Sequence, residues 1–278
     1  MVRLKEFEKT NGISANIYAK TEFANPFGSI KDRVALRIIE KAEATKHISE
    51  NCHIVEATSG NMGIALAGIS QIKCYNCSIV MPENMSDKRK YLIKKYGAEL
   101  ILTPDKFGMQ GAINKTKEII QNSKNIYYTD QFNNYASIEA HKYSTAPEIY
   151  KQLNGKVDII IAGIGTGATI SGIGEYYKTI NPTTKIIGIL PSNYPHKIQG
   201  IGAGFAPPLL NHRIIDKIIT VEDNESFYEK TKIYETEGLG VGISSGAVIA
   251  GLKKFILSNN CFNKNIVLIF ADGSDRYE

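Results

Sequence analysis

The sequence predicts an α/β protein built from two open, mainly parallel sheets flanked by helices. Three observations lead there. Short apolar runs alternate with amphipathic stretches along almost the whole chain, the pattern of β-α-β units. The apolar runs, such as VDIIIAGIG at 157–165, are near-continuous instead of alternating with polar residues, as expected of parallel strands buried on both faces. Three turns rich in Gly, Ser and Thr each sit at an expected strand-to-helix junction, at 58–63, 163–169 and 242–247. There are too many units for one small sheet, so two sheets with a cleft between them are expected.

Taken in order, Val34, Ala35, Ile38, Ile39 and Ala42 mark one helical face, with Ser29 as its N-cap. HIVEAT (53–58) reads as a short buried strand and runs through Ser59-Gly60-Asn61 into the helical GIALAGISQI. CSIVMP (77–82) is a strand, and Ser86 opens the helix SDKRKYLIKKYG, with Tyr91, Leu92 and Ile93 expected inward and its basic residues on a solvated face. AELILT (98–103) precedes a helix over about 109–122, and IYYTD (126–130) precedes one over about 137–153. The strand 157–165 leads into the helix TISGIGEYYKTI. A strand at 184–191, DKIITV (216–221) leading into a helix over 223–238, a helix over 243–257 and a last strand at 265–272 complete the chain. No low-complexity linker or internal repeat stands out. The domain boundary is expected near 131–140, giving a smaller domain at 25–135. Residues 1–24 and 136–278 then form a larger domain.

Composition narrows the function. The chain has 278 residues, 43% of them apolar and 22% charged, values of an ordinary globular protein. No run of about 18 apolar residues predicts a membrane span, and the start, MVRLKEFEKT, lacks an apolar signal core and reads as cytoplasmic. Four Cys do not suggest a disulfide scaffold. Cys74 and Cys77 have a redox or metal spacing, but Cys52, His53 and Cys261 do not complete a zinc set, and no metal is expected. The 33 Lys and Arg against 28 Asp and Glu are spread along the chain and are mostly Lys. Nucleic-acid binding would call for clustered Arg and Lys with aromatic platforms, so neither a nucleic acid nor a membrane is an expected partner.

The turn G-I-G-T-G-A-T (163–169) has the form of a phosphate cradle. Gly165 and Gly167 permit close backbone approach, and Thr166 and Thr169 add hydroxyls. Tight packing alone would also explain its glycines. It lies past the middle of the chain, away from the first β-α unit where a dinucleotide fingerprint belongs, and no Lys-Ser/Thr follows it as in an ATP-binding loop. A lone phosphate in a two-sheet protein suggests a phosphorylated cofactor. In N-P-F-G-S-I-K-D-R (25–33), Pro26 and Gly28 deliver Lys31 to a helix start. The helix dipole there disfavours the cation and favours a neutral amine able to form a Schiff base. The rival reading is a surface Lys beside Asp32 and Arg33.

Across Val2 to Tyr277 the chain resembles the cysteine synthase (O-acetylserine sulfhydrylase) family of fold type II, tryptophan synthase β-like, pyridoxal-phosphate enzymes. The resemblance rests on NPFGSIKDR, EATSGNMGIALA, MPENMSDKRKYLIKKYGAEL, GMQGAI, Gln131-Phe132, GIGTGATISGIG, HKIQGIGAGF and GISSGA, all in the family's order. It implies that Lys31 carries pyridoxal 5'-phosphate as a Schiff base and takes the substrate α-proton. Asn61 would bond the ring hydroxyl, Gly165, Thr166, Gly167 and Thr169 the phosphate, and Ser244 the pyridine nitrogen. Thr58, Ser59, Asn61 and Gln131 would bind the amino-acid carboxylate, with Gly200, Gly202 and Met109 on the substrate side. The implied reaction is β-replacement, making L-cysteine from O-acetyl-L-serine and sulfide through an α-aminoacrylate. Cysteine β-elimination releasing sulfide and a low-activity cofactor-binding scaffold are the alternatives. A homodimer is implied, with a serine acetyltransferase as a partner.

The chain departs from the family's pattern at several points. It begins after the usual Ile-Gly-x-Thr-Pro-Leu segment, is short at Ser192 to Pro195, and ends DGSDRYE in place of a continuing D-S-G-E-R-Y. Ala168 replaces a glycine and Phe27 a Ser or Thr. Met62 stands where the asparagine loop usually has a second Thr; on the substrate side it would cost the carboxylate one hydroxyl donor. His141 is expected on a helix surface or between domains, and His196 is expected to order its own loop.

Overall fold

The computed structural model describes residues 1–277 and divides into two compact units. The larger holds residues 1–24 and 141–275, and the smaller holds 25–140 with Arg276 and Tyr277. Glu278, the end of the larger expected domain, lies outside the described residues. In chain order the larger unit opens with β1 (Val2–Arg3), α1 (Lys5–Thr10) and β2 (Asn16–Thr21). The smaller unit follows with α2 (Lys31–Ala44), β3 (His53–Ala57), α3 (Asn61–Ile72), β4 (Asn76–Pro82), α4 (Asp87–Lys95), β5 (Glu99–Thr103), α5 (Gly108–Asn122), β6 (Ile126–Tyr128) and α6 (Ala136–Ala140). The larger unit resumes with α7 (Ala146–Gln152), β7 (Ile159–Gly163), α8 (Ala168–Ile180), β8 (Lys185–Pro191), β9 (Lys217–Val221), α9 (Asp223–Glu237), α10 (Ile243–Leu257) and β10 (Asn265–Phe270).

The smaller unit's sheet has the order β5-β4-β3-β6 and is parallel throughout. From β3 the chain steps outward to β4 and β5, then returns to lay β6 on β3's other side. The larger sheet runs β1-β2-β10-β7-β8-β9, parallel except for β1. It repeats the device: β8 and β9 extend one side of β7, and β10 closes on the other. In open α/β sheets ligands bind beyond the carboxyl ends of strands where the order reverses. Those ends are the loop after β3, at Thr58–Gly60, and the turn after β7, at Ile164–Gly167. The fold class is the one the sequence predicts, and each unit places one of the three motif turns at its reversal point; the third, at 242–247, joins α9 to α10 and follows no strand, contrary to expectation.

Burial explains the elements. α2 buries Val34, Ala35, Ile38, Ile39 and Ala42 and leaves Leu36 and Glu40 outward, an amphipathic helix on a sheet. With Ile54, Leu66, Ile79 and Ile93 these residues form the smaller unit's core. α3 and α10 are apolar nearly all round and are buried over most of their length. α9 is held by a capping box between Glu222 and Glu225 and ends on Gly238 in the left-handed region.

Three local expectations change. The stretch read as one helix over 137–153 is interrupted by a wide π-turn at His141–Thr145. The division between units also falls later than residue 135. α6 packs on α2, and Glu139 accepts from both Arg37 and Lys41, which keeps Ala136–Ala140 with the smaller unit. In α4 the inward pair is Arg89 and Ile93, while Tyr91 is exposed. The i,i+4 spacing puts Arg89 and Ile93 on one face, so one member of the basic run points inward.

Candidate functional site

In the smaller unit the candidate residues gather around the carboxyl end of β3. Lys31 is the first residue of α2, and its backbone N–H donates to the Ser29 hydroxyl at 3.2 Å. The N-cap is Ile30 and not Ser29 as expected; Ser29 stands one residue earlier, and its hydroxyl bonds the first helical amide from there. The Lys31 side chain is half-buried, and its amine is lowered to about 8 by desolvation, with the Glu56 carboxylate opposing the shift. The dipole reasoning gave the right direction; burial is the cause.

Beyond β3, Thr58 is buried and accepts the Gly60 N–H at 3.1 Å, folding the loop tightly before α3. Arg89 reaches up from α4 and donates to the Ser59 carbonyl at 3.2 Å, and a β-carbon on Gly60 would lie 2.5 Å from the Arg89 side chain. The loop backbone is thus clamped by a buried arginine that the sequence placed in solvent. Asn61 opens α3, so Thr58, Ser59 and Asn61 surround a helix start whose first-turn amides suit an anion.

Met62 differs from expectation. Its side chain is 1% exposed and packs in the unit's apolar core with Ile64, Leu66 and Ile79. It does not face a substrate; only its backbone remains available at the helix start. Gln131 is buried and follows Asp130, whose φ of 45° is in the left-handed region. The Ser137 hydroxyl donates to the Gln131 carbonyl at 3.2 Å. Met109 begins α5 and packs partly buried on Val55, Ala57, Val80 and Ala112.

Sequence reasoning missed Glu56. It is 1% exposed, accepts from the Thr129 hydroxyl and from the Gln131 N–H (3.3 Å), and burial pushes its carboxyl up to about 7. The available signal was an acid inside an otherwise apolar buried strand.

In the larger unit the turn after β7 carries the second group. A β-carbon on Gly165 would lie 2.4 Å from the Gly200 carbonyl oxygen, and one on Gly167 would lie 2.8 Å from the Leu210 nitrogen. Gly167 also holds φ at 82° as the N-cap of α8. The Thr166 hydroxyl accepts the Ala168 N–H at 3.4 Å. Thr169 bonds the His141 ring at 3.2 Å, and the other ring nitrogen meets the Thr145 hydroxyl at 3.0 Å. His141 is 1% exposed, so it is a buried support of this turn and not a surface residue; the π-turn that the sequence did not reveal supplies it.

Gly200 and Gly202 both have positive φ, and the Gly202 N–H donates to the Ile164 carbonyl at 2.9 Å, lining this loop beside the turn. The Ile198 N–H donates to His196 Nδ1 at 3.1 Å, so the proton sits on Nε2, which donates to the Gly202 carbonyl at 2.8 Å. His196 orders its loop, as expected. Ser244 lies buried in the first turn of α10. The smaller unit holds a lysine amine lowered by burial and a helix start suited to an anion; the larger holds a glycine turn at a helix start and the buried Ser244 hydroxyl. These residues fit a phosphorylated aldehyde such as pyridoxal phosphate.

The comparisons agree. The family model described as "Pyridoxal-phosphate dependent enzyme" matches residues 1–272. A cysteine synthase of Buchnera aphidicola is 43% identical over 95% of this chain and 88% of its own length. Cysteine synthase B of Campylobacter jejuni is 43% identical over 100% of this chain and 93% of its own. Among solved structures, a hydrogen sulfide-producing enzyme from Fusobacterium nucleatum superposes with a TM-score of 0.91 at 37% identity, covering 95% of this chain and 92% of that one. The cysteine synthase of Entamoeba histolytica gives 0.90 at 37%, covering 95% and 81%.

Proposed function

The chain belongs to the family of pyridoxal-phosphate-dependent enzymes, and from that premise we propose that it makes L-cysteine from O-acetyl-L-serine and sulfide. The observation that carries this reading is the 43% identity to cysteine synthases over essentially the full chain.

Bound pyridoxal phosphate supplies an electron sink for negative charge at the substrate's α-carbon. Lys31 holds the cofactor and, through its Nζ, takes the α-proton; an amine lowered to about 8 by burial is suited to act as both nucleophile and base near neutrality. Asn61 would bond the cofactor ring hydroxyl. Gly165, Thr166, Gly167 and Thr169 would hold its phosphate on backbone amides and hydroxyls. Ser244 would meet the pyridine nitrogen with a hydroxyl, which does not force a proton onto the ring as a carboxylate would. Thr58, Ser59, Asn61, the Met62 backbone and Gln131 bind the amino-acid carboxylate, and the Gly200–Gly202 backbone lines the substrate side. The substrate loses its α-proton and acetate leaves the β-carbon. The hydrosulfide ion then adds at that carbon and the α-carbon regains a proton, so the products are L-cysteine and acetate.

Supporting a second reading is the likeness to a hydrogen sulfide-producing enzyme: the same residues would release sulfide from cysteine. A low-activity cofactor-binding scaffold is the third. Among the described residues no helix is long and apolar enough to cross a membrane; we place the enzyme in the cytoplasm, as a homodimer, with a serine acetyltransferase as partner. Absorbance titration of the purified holoenzyme with O-acetyl-L-serine, followed by sulfide, tests the reading. The expected result is a spectral change reversed by sulfide with cysteine formed in proportion. Faster sulfide release from cysteine than cysteine synthesis would favour the second reading, and no response to either amino acid would favour the scaffold.

A further inference from the structure

We propose that Glu56 is a positioning residue that holds Gln131 ready for the amino-acid carboxylate. The inference rests on the substrate role given to Gln131 above. A carboxyl buried in a strand is costly unless donors satisfy it, and the donors that Glu56 collects are specific. β3 and β6 are neighbours, with Val55 paired to Tyr128. Just past the end of β6 the chain turns through Asp130 at positive φ, and Gln131 emerges from that turn. The turn is fixed from β3: the Val55 carbonyl accepts the Thr129 N–H at 3.3 Å, and Glu56 Oε2 accepts both the Thr129 hydroxyl and the Gln131 N–H. The Asn134 side chain closes the turn from below by donating to the Thr129 carbonyl at 3.0 Å.

Glu56 is also two residues ahead of Thr58, the first residue of the other carboxylate-binding segment. One side chain therefore sets the spacing between the two segments that meet the same substrate group. Burial raises the Glu56 carboxyl and Lys31 draws it back down, with Asp130 opposing ionisation; Tyr128 and Cys77 feel its charge in turn. The group stands in the electrostatic environment of the reacting lysine as well as on the substrate turn.

The test uses the holoenzyme and two amines, L-alanine, which lacks a β-leaving group, and ethylamine, which also lacks the carboxylate. Binding of each is read from the cofactor absorbance. For Glu56→Ala the expected result is about a 10-fold rise in the Kd of L-alanine, no change for ethylamine, and unchanged cofactor retention. Glu56→Gln keeps an acceptor oxygen and should restore L-alanine binding to within about 3-fold of wild type. Equal loss for both amines, or no loss for either, overturns the proposal. If Glu56→Ala does not fold, Thr129→Val removes one donor at nearly constant volume. It should raise the Kd of L-alanine about 3-fold and spare ethylamine, and an unchanged Kd overturns the proposal equally. A wild-type holoenzyme that ignores L-alanine would overturn the reading of the preceding section, and this one with it; a wild type that responds to L-alanine, with variants that bind it as tightly as wild type does, sinks this one alone.

Discussion

Gly165 and Gly200 pack so closely that a β-carbon on Gly165 would lie 2.4 Å from the Gly200 carbonyl oxygen. The obstructing atom is backbone and cannot swing aside. The Gly200–Gly202 loop is itself tied to the turn by the Gly202 N–H on the Ile164 carbonyl. Any side chain at 165 therefore displaces either the turn after β7 or the loop beside it.

The first prediction follows from that contact. Gly165→Ala should leave the fold intact by far-ultraviolet circular dichroism and weaken pyridoxal-phosphate retention by at least ~10-fold, equivalent to ~1.4 kcal/mol. Titration of the apo-protein with cofactor, followed by absorbance, measures it. Wild-type retention in the variant would mean that this turn does not hold the phosphate.

Lys31 gives a prediction with a definite pH direction. The neutral amine attacks an aldehyde, and burial lowers this amine from an ordinary 10.5 to about 8. Raising the pH through about 8 therefore converts it to the reactive form. Cofactor attachment to the apo-protein should speed up as pH rises and level off above about 8, well below the range of a free lysine. Because the folded-state value is depressed, the cation's destabilising effect on the apo-protein is present below about 8 and is relieved as pH rises from there towards 10.5. Lys31→Ala should bind cofactor without forming the covalent absorbance band. A rate still climbing at pH 10 would refute the depressed amine.

Ser244 supplies the third. Replacing it with Asp should favour a protonated pyridine ring and a stronger electron sink, prolonging the carbanion so that β-replacement falls by ~10-fold or more while cofactor is retained. Ser244→Ala should lose less, since a neutral ring persists without its donor. Steady-state cysteine formation in the two variants, normalised to bound cofactor, decides it; equal near-wild-type rates would remove Ser244 from the ring nitrogen.

How much of this was legible follows from burial. β3, β4, β7, β8 and β10 announce themselves because parallel strands covered on both faces are unbroken apolar runs. β2 does not: its Asn16–Thr21 run contains Lys20, a buried amine paired with Glu148 at 2.6 Å, and pairing across 128 residues leaves no local pattern. Lys31 and the glycines at 165 and 167 stand out in the sequence because the chemistry proposed for them demands Lys and Gly at set places. Their supports do not. Glu56, His141 and Arg89 each act through a partner distant in sequence, and Arg89 sits in a run of cations that looks like solvent-facing charge. Met62 misled for the opposite reason: its neighbours suggested a donor position, while its side chain belongs to the helix face that packs inward.

That placement of Met62 leads to the last prediction. Were its side chain turned to substrate, Met62→Thr would restore a hydroxyl donor and tighten amino-acid binding. In the structure the side chain is 1% exposed within an apolar core. Thr there removes buried apolar volume and adds a hydroxyl among Ile64, Leu66 and Ile79. Lost packing and a poorly satisfied polar group should together cost about 2–4 kcal/mol. Met62→Leu keeps the volume and should cost less than about 1.5 kcal/mol. Urea denaturation of the apo-protein at fixed pH measures both. Titration of the holoenzyme variants with O-acetyl-L-serine should show binding within about 2-fold of wild type, because the Met62 backbone stays at the helix start. A Thr variant as stable as wild type that binds the substrate 10-fold more tightly would put the side chain back on the substrate side.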